Sequence, residues 1–182
     1  CVNPCCTRSS HLNNTLLPII EQYHRDVDSA LNPLNWEHEN QLKCGDGCSD
    51  CCKDELTVFK VEAVVIKAHY GDLLTSGTPH PVGKCAFLND AGSCRIYEHR
   101  PYVCRSQGLP LRWIDEDEAG ELGEYRDICP KNDSPDFLET LEVQSCWTLG
   151  PAEEALQQVQ VENQKPGTEP ERLMLRDLFT QK

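Results

Sequence analysis

The sequence predicts an α+β fold: a small, irregular, cysteine-rich core with short β-hairpins, packed by several helices. Three observations predict it. Eight of the twelve cysteines fall between residues 44 and 129, in short segments punctuated by Gly, Pro, Asn and Asp. Within that stretch the apolar runs are brief, as in short strands and turns. Apolar residues recur at helical spacing on either side of it. At 182 residues with 38% hydrophobic side chains, the chain is the size of one modest domain. It divides into an N-terminal helical segment (1–41), a cysteine-rich segment (42–131) and a C-terminal helical segment (132–182).

In chain order, Pro4 sets a turn near the cysteine-bearing start. Leu16, Ile20, Tyr23, Val27 and Leu31 form a helical stripe, with Pro18 placed near its first turn and His24 beside it as a packing residue. The segment 32–36, with Pro33, is expected to break this helix. Residues 55–59 read as a short strand. Lys60 to Tyr70 reads as a helix with Val61, Val64, Val65 and Ala68 on one face and Gly71 as C-cap. This helix is expected to cover the thiol loop. Cys85 to Tyr97 reads as a hairpin turning on Asn89, Asp90 and Gly92. A short helix starts near Pro101. Leu109–Ile114 and Glu124–Ile128 are two strands around the acidic run Asp115–Glu118. Three helices follow, starting at Ser134, Pro151 and Glu169.

The centre of the argument is Cys44-Gly-Asp-Gly-Cys48-Ser-Asp-Cys51-Cys52, four thiols in nine residues. An apolar core has no use for such a run. Thiolates at short spacing wrap around zinc or an iron–sulfur cluster, and Gly45 and Gly47 are expected to supply positive-φ turns. The candidate metal ligands are Cys44, Cys48, Cys51, Cys52, Cys85, Cys94, Cys104 and Cys129. Eight thiolates satisfy two tetrahedral zinc sites; a [4Fe–4S] cluster fits Cys44, Cys48, Cys51 and a distant partner such as Cys104. Cys51 and Cys52, on successive residues, are expected to point apart and serve different centres. Cys104, with Arg100 and Arg105 nearby, also has the setting of an activated thiol. The alternative is that the arginines offset the charge of a thiolate–metal site, and this alternative is preferred.

The formal charge of −13 argues against nucleic acid and anionic membranes as partners. No run of eighteen apolar residues exists to cross a membrane. The C-terminal helices read as packing or as a contact with a protein partner or a second copy. The chain starts at Cys1 without methionine. The expectation is a trimmed cytoplasmic protein; the alternative is a surface or periplasmic lipoprotein beginning at Cys1.

Taken together, Cys44-x3-Cys48-x2-Cys51-Cys52, Cys85-Ala-Phe-Leu and Cys94-Arg-Ile-Tyr-Glu-x-Arg100-Pro101-x-x-Cys104-Arg105 resemble the YkgJ-type cysteine-cluster family, a zinc- or iron-chelating domain. Cys129-Pro130 is similar to its trailing cysteine. The resemblance covers roughly residues 42 to 131 and implies metal binding without a settled activity. A related pattern occurs in bacterial flagellin lysine methylases, which carry an iron–sulfur cluster; no methyl-donor site is recognisable here. The x3-x2 spacing is also that of radical S-adenosylmethionine enzymes, but Asp50 stands where those have an aromatic residue. Cys1, Cys5, Cys6 and Cys146 lie outside the pattern and take no role. Three functions are carried forward: a zinc or iron protein, an iron–sulfur redox or enzyme component, and a disulfide-stapled surface module.

Overall fold

A computed structural model describes residues 5–45, 47–132 and 135–179, with side chains described for 15–45, 47–132 and 137–179. Cys1, the Pro4 turn, Ser134 and the side chains of Cys5 and Cys6 lie outside what it describes.

The long helix α1 (Cys5–Glu37) lays Leu16, Ile20, Val27, Leu31 and Leu34 into the core, the predicted stripe with one further turn. Contrary to expectation, Pro33 does not end it, and Pro18 is internal rather than near the start. Beyond Pro33 the helix is held by burial of Leu34 and by the Asn35 side-chain amide, which donates to the Leu31 carbonyl at 3.1 Å. Packing outweighs the backbone donor that proline lacks.

Strand β1 (Thr57–Phe59) leads through a 3-10 turn (Lys60–Glu62) into helix α2 (Ala63–Ser76). Gly71 is not its cap. The helix bends at Tyr70 (φ −127°, ψ 27°) and runs on to Gly77, where a side chain would collide with the Leu73 carbonyl. Its buried residues are Ala63, Val65, Ile66 and Leu74, with Val61 buried in the turn before it, while Ala68, expected on the same face as Val61 and Val65, is exposed.

The predicted hairpin at Cys85–Tyr97 is reduced to one antiparallel bridge, Leu88 to Cys94. The Asn89 side chain accepts from the N–H groups of Ala91 and Ser93 and shapes the turn. A 3-10 turn (Tyr97–His99) and helix α3 (Tyr102–Arg105) follow, the latter capped by Pro101 as foreseen. Strands β2 (Leu111–Glu116) and β3 (Leu122–Asp127) pair antiparallel, from Leu111 opposite Asp127 to Glu116 opposite Leu122. Asp115 and Glu116 thus lie in the strand, and the solvated turn is shorter than the acidic run.

The C-terminal part holds α4 (Pro135–Thr140), β4 (Trp147–Thr148, parallel to β2) and α5 (Pro151–Glu162). The third helix expected from Glu169 is instead strand β5 (Arg172–Met174) and a 3-10 turn (Leu175–Phe179). Its apolar residues are explained by pairing: β5 lies antiparallel to β1, with Leu173 opposite Val58, and the turn delivers Leu175, Leu178 and Phe179 to the core.

Two apolar cores result. One gathers α1, the start of α2 and α5 around Ile20, Val65, Tyr102 and Leu156. The other gathers Val58, Ile66, Phe87, Ile96, Leu175 and Phe179, with Cys85 inside and Cys52 and Cys94 against it. Between them sits Glu62, 2% exposed. Its Oε1 accepts the Tyr102 N–H at 2.6 Å and faces His24 Nε2 at 3.1 Å. His24 is thereby a buried packing residue, in agreement with its sequence reading.

Candidate metal centre

The thiol loop is wound by local hydrogen bonds from Cys48 N to Gly45 O and from Cys52 N to Ser49 O. Of its two glycines only Gly47 takes positive φ, 79°; Gly45 does not, correcting that expectation. The 89–92 turn packs onto it so closely that a Cβ at Gly92 would lie 3.2 Å from the Gly47 carbonyl. Cys85 N donates to Cys52 O at 3.0 Å, which joins this loop to the next cysteine. Arg95 then fixes the backbone after Cys85 by donating to the Ala86 and Phe87 carbonyls.

Seven of the eight predicted ligands, Cys44, Cys48, Cys51, Cys52, Cys85, Cys94 and Cys104, line one open cavity of about 840 Å³. The eighth, Cys129, does not line it but shares a hydrogen bond with Cys44. Apolar side chains, among them Leu56, Phe87, Ile96 and Val103, supply much of the remaining wall. Cys146 is buried outside the cavity. All nine cysteines from Cys44 to Cys146 are free thiols.

Electrostatic neighbourhoods divide the eight into two sets. Cys44 is pushed up to about 11, first by burial and then by Cys129, Cys48 and Cys51. Cys104 is raised by burial and then by Cys85 and Cys94, and burial likewise leads at Cys85 and Cys94. Cys51 and Cys52 are the joint: they share a hydrogen bond, which lowers Cys51 and raises Cys52. Their side chains therefore meet, contrary to the expected divergence. Cys51 is nonetheless a neighbour of Cys44, and Cys52 of Cys85 and Cys104. Burial and neighbouring thiols thus make Cys44, Cys52, Cys85, Cys94 and Cys104 hold their protons until a cation displaces them.

The two arginines act differently from each other. Arg105 is buried and pairs with Asp28 on α1 at 2.5 Å, while Arg100 lies over the Tyr97 ring and lowers Cys94 rather than Cys104. With its thiol raised, Cys104 lacks the depressed pKa of an activated nucleophile. Two lysines from outside reach the thiol loop: Lys131, whose Nζ lies 3.7 Å from Cys48 Sγ and 2.8 Å from Asp50, and Lys84, whose Nζ lies 3.3 Å from Ser49 Oγ.

Sequence reasoning missed two positioning residues. Gly108 (φ 97°) leaves room for a thiol: a Cβ there would sit 2.6 Å from Cys44 Sγ. The Asn132 side chain accepts Lys43 N–H at 2.7 Å and donates to the Gly108 carbonyl, so it clamps the loop entrance to that turn. Gly-Leu-Pro at 108–110 was the available signal. Also missed was Glu21, His69 and His99, whose ligand atoms all lie within 4.8 Å of one another. Among the described residues no three cysteine sulfurs come that close together.

Residues 43–130 match the family model CxxCxxCC, described as a "putative zinc- or iron-chelating domain". No curated protein and no solved structure matches the chain. No helix among the described residues is long and apolar enough to cross a membrane.

Proposed function

We propose that this chain, whose residues 43–130 match the CxxCxxCC family model, holds an iron–sulfur cluster in its cysteine-lined cavity. The observation that carries this reading is the width of the thiol ring. A single tetrahedral zinc, with Zn–S bonds of about 2.3 Å, draws its sulfurs to about 3.8 Å from one another. Among the described residues no three sulfurs lie within 4.8 Å of each other, yet seven border one cavity of about 840 Å³. A cluster takes one thiolate per iron, so its ligands stand further apart.

The donor set fits such a group: soft thiols in excess of four, graded from exposed Cys44 and Cys51 to buried Cys85, with Lys131 and Arg100 at the edge to temper the negative charge. Cys52, Cys85, Cys94 and Cys104 form the drier set, and Cys44, Cys48, Cys51 and Cys129 the more open one. When bound, the cluster supplies reversible one-electron chemistry. The chain's own part is to orient the thiols through Gly108, Asn132 and Arg95 and to exclude water with Phe87, Ile96 and Val103.

A second reading is two structural zinc ions, one for each set of four thiols. The partition about the Cys51–Cys52 joint favours it. Anaerobic purification followed by a visible spectrum and assays for iron, sulfide and zinc separates the two. Brown protein with iron and sulfide, lost in Cys104→Ala and retained in Cys146→Ala, is the expected result. Colourless protein with two zinc ions per chain overturns the cluster in favour of zinc.

A further inference from the structure

We propose that Glu21, His69 and His99 form a second metal site, free of sulfur, that takes a divalent transition ion of the zinc class. The three side chains come from α1, α2 and the 3-10 turn before α3, so only the folded chain assembles them. Their ligand atoms lie within 4.8 Å of one another. His69 Nε2 is 2.7 Å from Glu21 Oε1, and the His69 and His99 rings stack with centroids 3.7 Å apart. Bonds of about 2.0–2.1 Å to a tetrahedral ion put donor atoms about 3.3 Å apart, and because each imidazole lone pair lies in its ring plane, the two rings swing out of their stack to share the ion.

Two imidazoles and one carboxylate are the three-ligand set of open zinc sites, in which water fills the fourth position. The exposure fits: Glu21 and His99 are half-buried and His69 is exposed, so an ion can enter and keep a water. His99 carries the outer support that such ligands have, because its Nδ1 meets the Tyr70 hydroxyl at 3.0 Å and leaves Nε2 for the metal. The bend of α2 at Tyr70 sets His69 and Tyr70 side by side around His99. Without an ion, the two imidazoles are stacked against each other. A cation shared with the Glu21 carboxylate resolves that crowding. The site is independent of whatever the cysteines hold.

The test is titration of the protein, with its cysteine centre as purified, with cobalt(II) under anaerobic conditions. The expected result is one further equivalent bound per chain, with visible ligand-field bands and no added thiolate-to-cobalt charge transfer. His99→Ala abolishes that equivalent. Tyr70→Phe weakens it about 10–100-fold, the usual cost of removing an outer partner. Glu21→Gln, which keeps the side chain's shape on the face of α1, also abolishes it and guards against misfolding of the histidine variant. Iron and zinc held by the cysteines are assayed in the same samples, so failure of one site is read separately from failure of the other. Absence of an additional equivalent, or an equivalent that carries sulfur charge transfer and survives both His99→Ala and Glu21→Gln, overturns the proposal.

Discussion

The two apolar cores are of similar extent but are closed by different means. Around Ile20 and Leu156, three helices bury an amphipathic face each, and the one buried carboxylate, Glu62, is satisfied by Tyr102 N–H and His24. Around Phe87 the chain from Gly77 to Pro101 contains one isolated bridge and one 3-10 turn. Such loops lose as much conformational entropy on ordering as helices do but form fewer repeating hydrogen bonds in return. Cysteines ring this second core. The difference teaches that the helical half is an ordinary hydrophobic fold, whereas the loop half, on the proposed function, relies on its thiols being joined to a common centre.

The strongest way to break this comparison is to remove the metal. Structural metal sites contribute on the order of 10 kcal/mol to folding, more than most whole domains have in reserve. Chelation is expected to abolish amide-exchange protection across 77–101 and the 44–52 loop while α1, α2 and α5 stay protected. Uniform loss of protection would mean one cooperative unit, and uniform retention would mean the loops stand without metal. Either result ends the distinction.

A smaller effect sharpens it. Phe87 is fully buried in the loop core, as is Leu156 in the helical core. Phe87→Ala is expected to cost about 3–5 kcal/mol and Leu156→Ala about 2–5 kcal/mol, through lost burial and the cavity left behind. The two losses are alike in chemical melts, but only Phe87→Ala should lower metal content, because Phe87 lines the thiol cavity. Metal content that falls equally in both variants would show that the cores are not separable.

Much of the loop half was legible in the sequence. Thiol spacing carries information along the chain, so eight candidate ligands from Cys44 to Cys129 could be named without knowing the fold, and seven of them line one cavity. The helices were legible by period, with errors where tertiary packing overruled a local signal. Pro33 lies inside α1 because Leu34 is buried, and Gly71 is passed over because Gly77 is where a side chain would collide with Leu73. The segment after Glu169 was misread because Leu175 and Leu178 have the same spacing in a 3-10 turn as in a helix. Asn132 and the Glu21–His69–His99 group were invisible for another reason. Their partners are 24 to 89 residues away, and nothing local announces them.

The smallest expected effect probes how the loop half is fastened to the C-terminal turn. Arg176 donates to Asp54 at 2.5 Å and to the carbonyls of His80, Pro81 and Lys84, just before Cys85. The Gly83 N–H and Arg176 both hold the Asp54 carboxyl below its ordinary value. A carboxyl lowered in the folded state stabilises it at pH values above the unfolded-state pKa, and the benefit is lost as pH falls through the folded-state value. Asp54→Asn is therefore expected to melt lower than the parent at neutral pH, with the gap closing in acid below the folded-state pKa of Asp54. Melting followed by a probe in the 80–85 loop, in a series of decreasing pH, reads this directly. A gap that stays constant with pH would mean that Asp54 acts through its shape and hydrogen bonds alone, and the loop would then be fastened by Arg176 to the backbone carbonyls rather than through charge.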